Sequence, residues 1–177
     1  VYAAADIGSN TAHLLVAAAG GGLVTRIDNY NEWIPLGETV AKEGQIPKEM
    51  VAQLVQAVKE FRRVAEAKRA EKLYIFATEG MRMARNHEAV LKKIRDEGGV
   101  AVDLIPPSRE AALSHLGVGL DTRHLGADVL LEVGGGSLQI GRIEDDVLGR
   151  SESLPLGTGR IIAESGLLSP PNDRALR

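Results

Sequence analysis

The chain has 177 residues, of which 44% are hydrophobic and 25% are charged, so it can bury a core and is not a disordered tail. Its formal net charge of -3 argues against a protein that holds nucleic acid by bulk electrostatic attraction. Cysteine is absent, which excludes disulfides and thiolate zinc sites. No apolar run approaches the roughly 18–20 residues that cross a bilayer. We therefore predict a cytoplasmic protein that binds neither nucleic acid nor a membrane.

The first part of the chain predicts strands and helices in alternation. Apolar runs bounded by glycine turns predict three consecutive strands over Val1–Ile7, Ala12–Ala19 and Leu23–Asn29. Apolar residues spaced as on one helix face predict a helix that begins at Pro47. The elements predicted next are a strand over Leu73–Ala77, a helix over about Asn86–Glu97, a strand over Val100–Ile105 and a helix over Ser108–Gly117 with Ser108 as its cap.

The pattern then begins again after a polar, glycine-bearing link. The predicted elements are strands over Val129–Val133, Leu138–Ile143 and Val147–Leu154, followed by a helix over Gly157–Glu164. We therefore predict a first lobe over residues 1–125 and the beginning of a second lobe over residues 126–177.

A repeated strand-turn-strand unit is the most informative feature of the sequence. The two copies read Asp6-Ile7-Gly8-Ser9-Asn10-Thr11 and Glu132-Val133-Gly134-Gly135-Gly136-Ser137, with a carboxylate two residues before the glycine in each. Backbone N–H groups of such a turn can grip a phosphate, and the carboxylate can hold a divalent cation or orient water. Either copy alone could be an ordinary glycine hairpin, but the two together predict a phosphate clamp.

Two further segments carry residues suited to phosphate chemistry. Arg82 lies where a predicted strand passes into helical structure, and it is either a bidentate phosphate ligand or a solvated surface charge. Glu110 opens a predicted helix, where it either compensates the helix dipole or acts as a general base on an attacking water. The pattern alone does not choose between these roles.

Five motifs in collinear order resemble the Ppx/GppA family of exopolyphosphatases and guanosine pentaphosphate phosphohydrolases. They are Asp6–Asn10, Ala77–Arg82 with Asn86, Glu110-Ala111 with Leu116–Val118, Gly134–Ser137 and Leu154–Gly157. The resemblance implies an α/β fold of the actin-like ATPase superfamily (ribonuclease H-like). It implies a first lobe with a mixed five-stranded sheet and the start of a second, similar lobe.

The resemblance also implies a chemistry and a set of roles. The implied reaction releases terminal phosphate from inorganic polyphosphate or guanosine pentaphosphate, with Mg²⁺ as cofactor, and a homodimer is compatible with the family. Glu110 falls on the catalytic base, and Asp6 and Glu132 become the expected metal ligands. The phosphate-binding positions are Gly8, Ser9, Asn10, Arg82, Gly135, Gly136 and Ser137.

Some residues depart from the family pattern. Glu132 stands where the family has Asp, Leu138-Gln139 replaces Thr-Glu, and Pro106-Pro107-Ser108-Arg109 precedes the remaining acid Glu110. An amide cannot supply the negative charge of the lost carboxylate to a metal. A phosphate-binding regulatory member that hydrolyses poorly therefore stays open beside the hydrolase, as does an ATP-dependent small-molecule kinase. Because the chain ends soon after the second lobe begins, we expect a fragment or a truncated relative.

Overall fold

A mixed sheet organises the first unit, Val1–Ile105, of the computed structural model, which describes residues 1–120 and 126–165. Its strand order is β3-β2-β1-β4-β5, with β1 antiparallel to β2 and parallel to β4. The strands are β1 Tyr2–Ile7, β2 Thr11–Gly20, β3 Leu23–Trp33, β4 Lys72–Ala77 and β5 Val102–Leu104. The helices are α1 Leu36–Glu43, α2 Lys48–Ala67, α3 Glu79–Arg82 and α4 His87–Lys93, the last continued by a π-helical turn over Ile94–Gly98.

Helix α2 covers one face of this sheet because apolar side chains recur along it at three- and four-residue intervals. Leu54, Val58 and Phe61 are fully buried in one core with alternate residues of β1 and β2, among them Ala5 and Leu14. Side chains alternate between the two faces of a strand, so the intervening residues face away from α2. The carboxylate that precedes the first glycine turn belongs to that second set.

The second unit carries α5 Pro107–Val118 and a three-stranded antiparallel sheet in the order β6-β7-β8. Its strands are β6 Val129–Val133, β7 Leu138–Glu144 and β8 Val147–Leu154, and α6 Thr158–Ser165 follows. Helix α5 packs against all three strands. None of the helices in the described ranges is long and apolar enough to cross a membrane.

Most predicted elements are confirmed, with two corrections. Helix α1 was not predicted, since its eight residues contain only two buried apolar side chains, Leu36 and Val40, too few to set a helical period. Ser108 is not the cap of α5: the helix begins at Pro107, Pro106 is its N-cap, and no side chain makes a capping hydrogen bond. Proline favours the first helical position because its missing N–H would have no partner there.

The lobe boundary predicted between residues 125 and 126 adjoins residues 121–125, which lie outside the described residues, and it stays a prediction. Contacts within the chain separate two units between Ile105 and Pro106, so α5 groups with the second sheet.

Candidate active site

The first glycine turn joins the central strand β1 to β2 and is closed by one backbone hydrogen bond. The Gly8 N–H donates to the Thr11 carbonyl at 2.9 Å. Asp6 is half-buried and pairs across the strands with His13. A side-chain carbon on Gly8 would lie 3.4 Å from Asp6 Oδ2, so the carboxylate sits directly against the turn. Ser9 is buried in the same turn, and Asn10 accepts a hydrogen bond from Ile34 N–H at 3.0 Å.

The second glycine turn has the same local geometry within the second unit. The Gly134 N–H donates to the Ser137 carbonyl at 2.9 Å. Glu132 pairs with Gln139 across β6 and β7, as Asp6 pairs with His13 across β1 and β2. Both turns therefore have the same closure and the same carboxylate position, which confirms that the sequence repeat is a structural repeat.

A helix begins against each turn, and a glycine lies at each contact. The Gly37 N–H at the start of α1 donates to the Ser9 carbonyl at 2.7 Å, and the Gly159 N–H at the start of α6 donates to the Gly135 carbonyl at 2.8 Å. A Cβ on Gly37 would lie 2.8 Å from Ser9 Cβ. A Cβ on Gly157 would lie 2.3 Å from the Gly136 carbonyl carbon. Only glycine lets these segments approach the turns so closely.

Sequence reasoning missed the first of these two supporting segments. Ile34-Pro35-Leu36-Gly37 and Leu154-Pro155-Leu156-Gly157 share Pro-Leu-Gly, and each follows the third strand of its sheet. They also share a local bend, since Leu36 N–H donates to the Ile34 carbonyl at 2.7 Å and Leu156 N–H to the Leu154 carbonyl at 2.8 Å. The shared tripeptide was the signal that could have extended the repeat.

Arg82 closes the short helix α3, which lies beside the first turn. A side-chain carbon on Gly80, in the same helix, would be 3.3 Å from Ser9 Cα. The Arg82 guanidinium is largely buried, bonds Glu79 at 3.1 Å and donates to the Ile105 carbonyl at 2.6 Å. These bonds fix the guanidinium to the end of the sheet on which the first turn lies. A phosphate bound by Arg82 would have to share the guanidinium with the carboxylate of Glu79.

In the second unit, helix α5 connects the predicted base to the second turn. The Ser114 hydroxyl donates a hydrogen bond to Glu132 Oε2. Glu110 is half-buried one helical turn before Ser114, and residues four apart lie on the same helix face. Glu110 and Glu132 therefore belong to one polar surface of the second unit, with Ser114 between them. Ser114 was not predicted, although its four-residue spacing from Glu110 was visible in the sequence.

Gln139 is a buried part of the second turn. Its side chain is 1% exposed and donates from Nε2 to Ser137 Oγ at 2.9 Å. That bond orients the Ser137 hydroxyl, a predicted phosphate ligand. It also shows that the amide, which stands where the family has a carboxylate, has a structural partner of its own.

The predicted metal ligands fit magnesium only in a limited sense. Among the described residues, no three His, Cys, Asp or Glu side chains form a group that could enclose a metal. Mg²⁺ needs no such group, since it keeps several waters and is usually held by one or two carboxylates with substrate phosphates. Asp6 and Glu132 each provide one carboxylate beside a glycine turn. Each unit therefore provides one carboxylate of the kind that binds Mg²⁺ together with waters and phosphate oxygens.

Asn86, which belongs to one of the matching motifs, has a structural role. Its side-chain Oδ1 accepts from Ile46 N–H and its Nδ2 donates to the Ile46 carbonyl, both at 2.9 Å. The side-chain amide thus provides both hydrogen-bond partners of the Ile46 backbone, just before α2, as a neighbouring strand would.

Comparison with known proteins gives one consistent family. A model of the Ppx/GppA phosphatase family matches residues 15–173. Exopolyphosphatase 1 of Mycobacterium tuberculosis is 34% identical over 171 residues, which cover 96% of this chain and 50% of that protein. The guanosine-5'-triphosphate,3'-diphosphate pyrophosphatase of Photobacterium profundum is 25% identical over 140 residues, 79% of this chain and 28% of that protein.

Solved structures agree with the sequence comparison. The crystal structure of the Aquifex aeolicus member of the Ppx/GppA family matches with a TM-score of 0.83 at 26% identity, covering 99% of this chain and 57% of that one. The predicted α/β fold of the actin-like ATPase superfamily is therefore confirmed. The chain spans about half the length of the Mycobacterium exopolyphosphatase that it matches.

Proposed function

Because the chain belongs to the Ppx/GppA phosphatase family, we propose that it carries the phosphate-binding turns and the catalytic base of a phosphoanhydride hydrolase. The substrates we propose are inorganic polyphosphate and guanosine pentaphosphate, from which a terminal phosphate is released. One relative is named an exopolyphosphatase and another a guanosine-5'-triphosphate,3'-diphosphate pyrophosphatase, so the family includes both substrate types.

The matching geometry of the two turns is the observation that carries this proposal. Each turn places a carboxylate two residues ahead of a glycine whose N–H closes the turn at 2.9 Å. Turns of this kind direct backbone amides at an anion without a positive side chain. This suits a chain whose net charge is negative, since the anion is then bound by local dipoles rather than by the charge of the whole protein.

The proposed roles follow from residue chemistry. Glu110 accepts a proton from water as the water attacks the terminal phosphorus, and the bond to the bridging oxygen breaks. Asp6 in the first unit and Glu132 in the second are each assigned as a magnesium ligand beside their own turn, and the bound ion would offset the negative charge of the phosphate oxygens. Ser114 holds Glu132 through its hydroxyl. Arg82, fixed by Glu79 and the Ile105 carbonyl, would stabilise charge near the first turn.

Phosphate release from polyphosphate and from guanosine pentaphosphate, with and without magnesium, tests the proposal. Glu110→Gln keeps the size of the side chain and removes its basicity, so turnover should fall by about 10²–10⁴-fold. Substrate affinity should change by no more than a few-fold. Glu49→Gln is the matched control, because Glu49 is also an acid in the first turn of a helix and is exposed. If the Glu110→Gln variant turned over substrate at the native rate, Glu110 would not be the general base.

A regulatory phosphate-binding protein is the second candidate, and Gln139 is the observation that favours it. This buried amide bonds Ser137 and brings no charge to the metal site. Tight binding of polyphosphate without magnesium-dependent phosphate release would identify a binder.

A further inference from the structure

Trp33 is the only tryptophan of the chain, and 70% of it is exposed at the end of the edge strand β3. Two aliphatic side chains that follow it are buried, since Ile34 and Leu36 are 4% and 1% accessible. The chain therefore buries the aliphatic side chains that follow and leaves the large indole in solvent. A single exposed hydrophobic residue needs no functional explanation by itself. Whether Trp33 has a function must therefore be argued from its position in the fold.

Trp33 stands beside the first glycine turn. It pairs with Thr11, the residue whose carbonyl closes the turn, and the next residue, Ile34, donates its N–H to the Asn10 carbonyl at 3.0 Å. Directly paired residues on antiparallel strands are about 4.5–5.5 Å apart at Cα and point to the same side of the sheet. The indole is thus within one side-chain length of the turn that is proposed to hold phosphate.

The indole also lies on the sheet face that carries the first carboxylate. Thr11 and His13 alternate with the buried residues of β2 that pack on α2, so they face away from that helix. Asp6 pairs with His13 and faces the same side. A ligand held at the turn on the carboxylate side would therefore extend toward Trp33.

From this juxtaposition we propose that Trp33 stacks on the base of a purine nucleoside polyphosphate whose phosphates occupy the turn at Gly8–Asn10. The inference rests on the proposed function and makes it more specific. Base–aromatic stacking contributes to affinity through the π-face of the ring. Inorganic polyphosphate has no ring and gains nothing from Trp33. Trp33 would thus be the residue that favours nucleotide over polyphosphate, while the turn itself binds both.

Because the chain has one tryptophan, its fluorescence reports on this position alone when it is excited at a wavelength that the three tyrosines do not absorb. The full chain is titrated with GTP and with tripolyphosphate, which carries the same number of phosphates without the base. We expect GTP to quench the emission, after correction for its own absorbance, and tripolyphosphate to change it little. Equal responses to the two ligands, or no binding of GTP, would overturn the inference.

Two variants, compared by calorimetry, separate stacking from simple apolar contact. Trp33→Leu keeps an apolar side chain but removes the aromatic face, and it should weaken GTP binding roughly 10-fold while leaving tripolyphosphate affinity unchanged. Trp33→Phe should retain most of the GTP affinity. Native GTP affinity in Trp33→Leu would reject stacking, and parallel loss of both ligands would mean that the substitution disturbs the turn.

Phosphate release from polyphosphate, measured on Trp33→Leu, keeps this inference distinct from the proposed function. Turnover at the native level with weakened GTP binding supports both. If the native chain releases no phosphate, the proposed hydrolase activity is refuted. The fluorescence response to GTP still tests, independently, whether Trp33 contacts the base.

Discussion

The contact between Gly157 and the second turn allows a test of how strongly phosphate binding and turnover depend on the position of that turn. Adding one methyl group as Gly157→Ala would put its carbon 2.3 Å from the Gly136 carbonyl carbon and 2.4 Å from Gly136 N. Ordinary contact begins at 3.4 Å, and the neighbour is backbone rather than the end of a flexible side chain. The turn must therefore move by about 1 Å, a displacement that can cost about 10²-fold in rate when it misplaces a reacting group.

A graded set of alanine variants gives this prediction its controls. Gly37→Ala meets Ser9 Cβ at 2.8 Å and requires a smaller shift of the first turn, so its effect should be smaller. Gly117→Ala, within α5, meets no heavy atom within 4 Å and should stabilise the helix by about 0.5–1 kcal/mol. Gly157→Ala should destabilise the protein by about 1–3 kcal/mol through overpacking.

The assay measures kcat and KM for phosphate release, tripolyphosphate affinity, and the thermal unfolding midpoint of each variant. We expect activity and affinity to fall in the order Gly117→Ala, Gly37→Ala, Gly157→Ala, with Gly117→Ala at the native level. The loss for Gly157→Ala should persist at temperatures where the variant is fully folded. Native kcat, KM and affinity in folded Gly157→Ala would refute the argument that this glycine positions the turn.

Three further predictions follow from contacts around the turns and in the first unit. Ser114→Ala should reduce turnover, because Glu132 loses the hydroxyl that holds it, while the magnesium concentration for half-maximal activity rises; an unchanged magnesium dependence would contradict this. Asn86→Ala removes two hydrogen bonds to backbone and should lower the free energy of unfolding by about 1–3 kcal/mol in a denaturant titration, without changing KM. A hydrogen bond from Lys68 lowers the pKa of the Asp28 carboxyl below its ordinary value of 3.8. The contribution of this pair to the free energy of unfolding is therefore fully present at pH values above 3.8, and it is lost as the pH falls through the lower pKa of the folded state. Lys68→Met should therefore lower the unfolding midpoint near neutral pH, and the difference from the native chain should vanish in acid.

The strands and the second glycine turn were predictable because local signals specify them. Apolar runs between glycine turns defined the first three strands of the five-stranded sheet and the three strands of the second sheet, and the two hairpins share a spacing that fixes both register and carboxylate position. Gly134 and Gly8 could be identified as equivalent from this spacing alone. Each signal lies within about twelve residues of sequence, which is the range over which hairpin geometry acts.

The contacts made between distant segments were not predictable in the same way. Ser114 meets Glu132 only because α5 packs on the second sheet. Arg82 reaches the Ile105 carbonyl only because β5, which ends just before Ile105, pairs in parallel with β4, which leads into α3. No residue pattern in either segment encodes its partner. Single-sequence reasoning can name a serine or an arginine as suited to a role, but the bond that occupies it depends on tertiary packing.

The Pro-Leu-Gly segments lie between these two cases. The tripeptide at Pro155–Gly157 was recognised, whereas its copy at Pro35–Gly37 was not, because the helix that follows the first copy is only eight residues long and contains just two buried apolar side chains, Leu36 and Val40. Structure explains why both copies end in glycine: any side chain there would collide with the turn that the segment supports. The repeat unit therefore comprises the acid, the glycine turn, the returning strands and the glycine that packs back on the turn. Glycine is therefore required at the end of each unit because the glycine turn packs against it. A substitution at Gly37 or Gly157 should weaken anion binding even in molecules that remain fully folded.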